Sequence, residues 1–152
     1  MAKQQGRKAL IILSDGVDRG SREGLATAIE TAQRANTVVY SILFKDSEGF
    51  GNRGGFTVGP YGGRRRYPQE DRPDGKKILQ EISKETGGRL FEVSKKETVE
   101  KIFAQIEEEL RSQYSLGYTP DKNNGAGFHK LQVTTKQKDL MVQARDGYYA
   151  GL

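Results

Sequence analysis

The run Leu10-Ile11-Ile12-Leu13-Ser14-Asp15-Gly16 places the strongest constraint on the fold of this chain. Four apolar residues end abruptly at a serine, a carboxylate and a glycine, which predicts a buried strand that leads into a polar loop. In open α/β sheets, ligands bind beyond the carboxyl ends of the strands, so Asp15 is the first candidate for a binding residue. Only the segment Met1 to Lys8 precedes this strand, and the other members of such a site are therefore expected downstream or on another chain.

The composition limits both the size and the chemistry of the protein. A length of 152 residues suffices for one domain with one core and hardly for two. The apolar fraction of 34% is low and the glycine count of 19 is high, which indicates a compact part with a sizeable loop. The net charge of +5 permits an anionic partner without requiring one. Since the chain has no cysteine, disulfides, thiolate metal sites and thiol nucleophiles are excluded.

Strand and helix patterns alternate along the first part of the chain. Ala9 to Leu13 and Thr37 to Phe44 are predicted to be buried strands. Between them, Ser21 is a plausible N-cap for a helix whose apolar residues recur at helical spacing: Leu25, Ala28, Ile29, Ala32 and Ala35. The short link through Asn36 favours a right-handed crossover, and the two strands are therefore predicted to be parallel neighbours.

The pattern resumes after residue 74 with a second helix, a strand and a third helix. The second helix is predicted to begin near Pro73, to bury Ile78, Leu79 and Ile82, and to end at Gly87-Gly88. Arg89 to Val93 is predicted to be a short strand. Ser94 and Glu97 form a capping-box pattern ahead of a strongly amphipathic helix, whose apolar face consists of Val99, Ile102, Phe103, Ile106 and Leu110.

Strand alternation replaces helical periodicity in the last forty or so residues. Gln113 to Tyr118 is predicted to be a strand, and Phe128 to Thr135 is predicted to form a hairpin with Leu140 to Ala144. The predicted fold class is therefore α/β: a partial doubly wound, mostly parallel sheet with flanking helices and an appended C-terminal antiparallel hairpin. Residues 1–112 would form the core, and residues 113–152 would form an extension packed on the same domain.

A Gly-rich and Arg-rich loop is predicted over residues 46–74. Glycine at this density opposes regular structure, and Phe and Tyr are interleaved with Arg53, Arg64, Arg65 and Arg66. Such segments bind RNA or single-stranded DNA by charge and stacking, which makes nucleic-acid binding through residues 49–67 an alternative function. An insertion loop that borders a protein-binding face explains the four arginines equally well, and we rank nucleic acid below a protein partner.

Several segments carry a resemblance to a known family: Arg7 to Gly16, Ala28 to Ala35, Leu110 to Pro120, Phe128 to Leu131 and Ala144 to Ala150. The first two resemble the later part of a von Willebrand factor type A domain, from its fourth strand onward. The other three are similar to the tail of the bacterial von Willebrand factor type A related proteins, a group abundant in Acidobacteria. The resemblance covers most of the chain outside the Gly/Arg loop.

The resemblance implies a doubly wound sheet whose top edge holds a metal-ion-dependent adhesion site. In that family, an Asp-x-Ser-x-Ser loop, a Thr and a later Asp surround a divalent cation such as Mg²⁺ or Mn²⁺, which takes a carboxylate from a protein ligand. Asp15 matches the later Asp, and Ser14, Gly16 and Asp18 are neighbouring binding candidates. The chain has no Asp-x-Ser-x-Ser and no counterpart of the first three strands, so an incomplete metal site is expected.

The resemblance to the von Willebrand factor type A domain also predicts how the chain associates with other chains. In the family, the missing first strand lies beside Ala9 to Leu13, and its absence would leave a long apolar edge that recruits pairing partners. We therefore expect a C-terminal half domain that binds a protein ligand or a complementary N-terminal half, or that forms a homo-oligomer through the edge of strand 9–13. Structural self-assembly through such edges is a further alternative.

Other readings of these residues stay open. Asp15-Gly16 is also a common turn and helix entry, and His129 is expected to be a surface or packing residue, because no second His or Cys could share a metal with it. Recognisable catalytic, Walker or dinucleotide motifs are missing, so enzymatic activity is not expected. No apolar run approaches membrane-spanning length. The resemblance implies a secreted or cell-envelope location.

Overall fold

The computed structural model describes residues 8–16, 22–44, 75–120 and 125–150. These residues form an α/β fold with a three-stranded parallel sheet, three helices and a separate two-stranded antiparallel sheet. The elements are β1 (Lys8–Ser14), α1 (Leu25–Arg34), β2 (Thr37–Leu43), α2 (Gly75–Thr86), β3 (Leu90–Glu92), α3 (Val99–Arg111), β4 (Gly127–Lys130) and β5 (Gly147–Ala150).

The parallel sheet has the strand order β1-β2-β3, which confirms that the first two predicted strands are parallel neighbours. β2 is the central strand, and its residues are buried on both faces apart from Val38. A continuous run of β-branched and aromatic residues suits this position, because a central parallel strand has no face left for solvent. None of the seven residues of β1 is buried to the same degree.

Helices cover both faces of the sheet. On one face, Tyr40, Ile42 and Phe91 pack against Ile102 and Ile106 of α3. On the other face, a second cluster joins Val39 of β2 to α1 and α2 through Ile29 and Ile82. Most of the apolar positions predicted from helical spacing therefore point into the core; the exceptions are Ala28, which is exposed, and Phe103, which is 42% exposed.

The end of α2 and the start of α3 show one confirmed prediction and one correction. The predicted helix stop at Gly87-Gly88 is confirmed: Gly88 N–H donates to the Ser83 carbonyl and Gly87 N–H to the Lys84 carbonyl, which is a Schellman pattern. The capping-box prediction for Ser94 and Glu97 is wrong in its position. These two residues close a turn by reciprocal bonds before the helix, and the N-cap of α3 is Thr98.

The C-terminal antiparallel pairing is confirmed, but its second strand is β5 and not the predicted Leu140 to Ala144. β4 pairs with β5 so that Lys130 lies opposite Gly147, and Leu131 N–H donates to the Asp146 carbonyl at 2.7 Å. Continuing this register places the predicted turn at Lys138-Asp139, where Leu140 N–H lies 3.5 Å from the Gln137 carbonyl. Residues 140–144 are not a strand, because they have no ladder partner among the described residues.

The prediction of a strand from Gln113 to Tyr118 is wrong. Residues 113–120 have no regular secondary structure, and Tyr114 is 92% exposed. No strand among the described residues pairs with this segment through its backbone, although the Tyr118 hydroxyl donates to the Tyr148 hydroxyl of β5 at 2.8 Å. A strand without a pairing neighbour leaves its backbone hydrogen bonds to water. The predicted Ser21 cap is wrong, because α1 begins at Leu25 and its N-cap is Gly24. The start of the second helix near Pro73 and the loop over residues 46–74 fall outside the described residues. In the part of the chain that the structure describes, no helix is long and apolar enough to cross a membrane.

Candidate functional site

The carboxyl edge of the parallel sheet is the first candidate site. Ser14, Leu43 and Glu92 lie in register at the ends of the three strands. Asp15 and Gly16 follow β1 directly, so the predicted residues Ser14, Asp15 and Gly16 do lie together at this edge. Ligands of open α/β sheets bind at the same edge.

The turn after β1 is built from a serine bond and a glycine. The Gly16 N–H donates to Ser14 Oγ at 2.9 Å, and Gly16 has a φ of +77°, a conformation that side chains with a Cβ disfavour. Gly16 lies directly against Gly75, the first residue of α2, and a Cβ on either glycine would collide with the main chain of the other. The start of α2 is therefore held next to Asp15.

An ion pair occupies the same edge. Lys76, the second residue of α2, pairs with Glu92 at the end of β3. Since Gly75 touches Gly16, this pair and Asp15 belong to one charged surface that carries both signs. Such a surface suits a protein ligand, because protein surfaces offer both charges.

The described residues of this edge do not by themselves supply the ligands of a resident divalent cation. Mg²⁺ asks for an octahedron of oxygens, and Mn²⁺ has a similar preference. The described side-chain oxygens at this edge are those of Ser14 at the end of β1, of Asp15 and of Glu92. The Ser14 hydroxyl accepts from Gly16 N–H, and the Glu92 carboxylate is paired with Lys76. The described ranges also contain no group of three or more His, Cys, Asp or Glu placed to hold a metal. Further oxygens would have to come from another chain or from residues that the structure does not describe.

The arginine candidates and Asp18 cannot be placed. Asp18, Arg53, Arg64, Arg65 and Arg66 all lie outside the described residues. Whether the loop over residues 46–74 borders the carboxyl edge therefore stays a prediction.

The outer edge of β1 is the second candidate site. The Ser14 carbonyl accepts a hydrogen bond from Phe44 N–H, next to the end of β2. In a parallel ladder, a residue whose carbonyl accepts from one neighbouring strand also donates its N–H to that strand. The backbone groups of Ser14, and of alternate residues before it, thus point toward β2. Those of Ala9, Ile11 and Leu13 point away from the sheet, where no strand among the described residues pairs with them.

Two apolar side chains of β1 are also exposed to solvent along this edge. Leu10 is 40% exposed and Leu13 is 51% exposed, although both are aligned with buried residues of β2. Ile11 reaches the cluster under α3, and Ile12 reaches the cluster under α1 and α2, so Leu13 and Leu10 extend the same two faces. Both faces of the sheet are therefore apolar and incompletely covered along this edge.

A polar network lies at the opposite, amino edge of the sheet. Arg89, just before β3, pairs with Glu109 of α3, and its guanidinium stacks on the Phe91 ring at 4.7 Å. Burial, followed by the nearby Glu109 carboxylate, raises the pKa of Tyr40. This network ties α3 to the sheet and lies away from Asp15, which indicates a structural role.

The C-terminal hairpin carries an exposed apolar surface that residue-by-residue reading of the sequence does not reveal. Side chains on one of its faces contact the body of the protein: Arg34 stacks on Tyr149 at 4.1 Å, and Arg145 bonds to Asn36 at 2.9 Å. Val133, Leu140 and Val142, in the segment between β4 and β5, are exposed. The sequence shows that these residues are apolar, but only the structure shows that they are left uncovered by the described residues.

Comparison with known proteins leaves the family open. No family model matches the chain, and no curated protein matches it. A crystal structure of an uncharacterized membrane-spanning protein from Vibrio fischeri is similar over 66% of this chain, with 16% sequence identity and a TM-score of 0.44. This chain covers 46% of that protein, so it spans less than half of its length. A likeness at this level carries no argument about function.

Proposed function

We propose that this chain is a non-catalytic protein-interaction module of the von Willebrand factor A type, and that it binds a partner by completing its parallel sheet. The observation that carries the proposal is the open outer edge of β1. This edge is seven residues long and has no charged side chain between Lys8 and Asp15. It presents the backbone groups of Ala9, Ile11 and Leu13, with which no strand of the described ranges pairs.

The physical reason is the cost of leaving such an edge in water. Natural edge strands are usually short, charged, bulged or covered, because a long flat apolar edge is a template for pairing with another chain. β1 has none of these protections among the described residues, and its two exposed leucines lie on opposite faces of the sheet. A partner strand would satisfy the backbone groups and cover both leucines.

The resemblance supports the same surface. In the family that the chain resembles, a strand lies beside the counterpart of Ala9 to Leu13, and a complementary N-terminal half domain or the strand of a protein ligand would take that place here. The carboxyl edge, with Asp15 and the Lys76–Glu92 pair, would then border the bound partner. In this proposal, Mg²⁺ or Mn²⁺ is held at Asp15 only when the partner contributes further oxygen ligands.

A strand-peptide binding assay tests the proposal. The probe is a labelled synthetic peptide that copies Lys8–Ser14 and carries a lysine tail for solubility. We expect saturable binding by fluorescence polarisation. Leu13→Pro should weaken the binding about tenfold or more, because proline removes an outward N–H and its ring blocks the edge.

Two further variants make the result interpretable. Leu10→Lys places a charge at the edge of β1, which opposes strand pairing. It serves as the test variant if Leu13→Pro does not fold. Phe103→Lys is the matched control, because Phe103 is 42% exposed on α3, close to the 40% of Leu10. Binding that is absent, or that survives both edge variants, would contradict the proposal.

Nucleic-acid binding is not supported by a described contact. Its candidate residues, Arg53 and Arg64 to Arg66, lie outside the described ranges. It therefore stays an alternative from the sequence alone. Its signature would be affinity for an oligonucleotide that falls steeply between low and moderate salt concentration.

A further inference from the structure

We infer that the strand which completes the β1 edge is β1 of a second copy of this chain, paired antiparallel and centred on Ile11. This inference rests on the proposed function, since it requires that the β1 edge accepts a strand. It adds the identity of the partner, the direction of pairing and the register.

The direction follows from the charges at the ends of β1. The strand begins at Lys8 and is followed by Asp15, with no charge between them. An antiparallel copy places the Lys8 end of one strand beside the Asp15 end of the other, which is attractive. A parallel copy in register would place each charge beside its like, and like charges on adjacent strands are destabilising.

The register follows from the backbone groups that point outward. In an antiparallel pair, two directly opposed residues form two hydrogen bonds with each other only where the N–H and C=O groups of both residues point toward the other strand. Ala9, Ile11 and Leu13 are the outward residues of β1. A two-fold axis at Ile11 places Ile11 opposite its own copy and Ala9 opposite Leu13, so every outward residue is matched.

The side chains agree with this register. Leu13 comes to lie beside Ala9 of the second copy on the α3 face, and Leu10 comes to lie beside Ile12 of the second copy on the α1 face. The two half-exposed leucines thus each gain an apolar cross-strand neighbour. A shift of the axis by one residue leaves at least one outward residue without a partner and moves the strand ends out of alignment.

The resulting assembly is a closed, isologous dimer. Two sheets of order β1-β2-β3 join through their β1 strands into one sheet of twice as many strands. The two-fold axis is perpendicular to the sheet, so α1 and α2 of both copies lie on one face and α3 of both copies on the other. Because the β1 edge of each copy is used up, the assembly stops at two chains.

Disulfide trapping tests the register directly, because the natural chain contains no cysteine. Ile11→Cys should cross-link to itself under mild oxidation, since hydrogen-bonded antiparallel pairs have Cα atoms about 5.5 Å apart, within disulfide reach. Leu10→Cys alone and Ile12→Cys alone should not cross-link, whereas an equal mixture of the two should. Light scattering should give twice the 16.9 kDa mass of one chain.

A second pair of variants covers a failure of Ile11→Cys to fold. Ala9→Cys and Leu13→Cys replace a small residue and a half-exposed residue, and a mixture of the two should form the crossed disulfide. Equal self-cross-linking at every position would indicate parallel pairing and overturn the inference. A chain that stays monomeric at high concentration but still binds the strand peptide would also overturn it, while leaving the proposed function standing.

Discussion

Gly16 and Gly75 pack main chain against main chain, so that the turn after β1 and the first residue of α2 share a contact with no room for a side chain. The two residues are far apart in sequence and lie on different elements. Their contact brings the start of α2 to the carboxyl edge of the sheet, beside Asp15. The geometry of this edge therefore depends on two positions that carry no functional group.

The first prediction concerns this contact. Gly75→Ala should destabilise the protein by about 1–3 kcal/mol, because an added methyl group must displace backbone rather than a flexible side chain. Gly117→Ala is the control, since a Cβ at Gly117 meets nothing within 4 Å. Urea denaturation of both variants measures the difference. Equal stabilities of the two variants would show that the contact is loose.

The second prediction concerns a backbone donor of the central strand. Val39 N–H donates to Thr86 Oγ1 at 3.0 Å, a side-chain acceptor supplied by α2. Thr86→Val should cost about 1–3 kcal/mol, because it leaves this buried N–H without a partner. The matched control is Thr31→Val, whose hydroxyl bonds to the Thr27 carbonyl on the exposed side of α1. A similar loss of stability in both variants would refute the special role of Thr86.

The third prediction concerns two buried serines. Ser83 Oγ donates to Ser41 Oγ at 2.8 Å, and both residues are fully buried between α2 and β2. Ser83→Ala should cost about 1–3 kcal/mol, since the Ser41 hydroxyl then lacks its donor. Ser41→Ala should destabilise the Ser83→Ala variant less than it destabilises the wild type. A double-mutant cycle measures this difference as the coupling energy of the two residues. Strict additivity of the two changes would show that the bond contributes nothing.

The fourth prediction is a pH dependence. Burial, followed by the nearby charges of Asp146 and Glu81, raises the pKa of the Glu85 carboxyl. The folded state then holds this proton more tightly than the unfolded state, so stability falls as pH rises from the ordinary pKa of Glu through the raised one. Glu85→Gln removes this penalty. The variant should melt at a higher temperature than wild type at pH 7, and the difference should vanish in acid.

Glu100 provides a control of opposite sign for that experiment. A hydrogen bond from its own backbone amide, followed by one from the Thr98 side chain, lowers the pKa of the Glu100 carboxyl. Its ionised form therefore favours the folded state at neutral pH, and the contribution is lost as pH falls through the lowered pKa. Glu100→Gln should lower the melting temperature at pH 7. If both variants changed the melting temperature at pH 7 in the same direction, the pKa of Glu85 and that of Glu100 would not be shifted in opposite directions.

The fifth prediction concerns metal. After treatment with EDTA, addition of Mg²⁺ or Mn²⁺ should leave the melting temperature of the isolated chain unchanged, because a ligand stabilises a protein only where the native state binds it. Asp15→Ala should behave in the same way as wild type. A metal-dependent rise that Asp15→Ala abolishes would show that Asp15 anchors a cation without a partner.

Much of the fold follows from local patterns. The apolar runs of β1 and β2 and the helical spacing of α1, α2 and α3 each agree with the structure. These patterns report burial, and burial follows directly from the period of the apolar residues. The Gly87-Gly88 end of α2 was also predictable, because a Schellman cap requires the positive φ that glycine tolerates.

The sequence pattern was misleading where a strand needs a neighbour. Residues 113–118 alternate as a strand does, yet they pair with no strand among the described residues and have no regular structure. Ser94 and Glu97 have capping-box spacing, yet they close a turn before α3 rather than cap it. In both cases the local preference is real, and which contact satisfies it depends on residues elsewhere in the chain.

The sequence by itself determined the α/β fold class of this protein and pointed to Asp15 as a candidate binding residue, since both depend on residues that are adjacent in the chain. Only the tertiary structure decided what surrounds Asp15 and what is left open. The contact of Gly16 with Gly75 and the pairing of Lys76 with Glu92 join distant segments. Likewise, Ile11 and Ile12 are as apolar as the residues of β2, and only the order of the strands shows that β1 lies at an edge, with its outward backbone groups unpaired among the described residues.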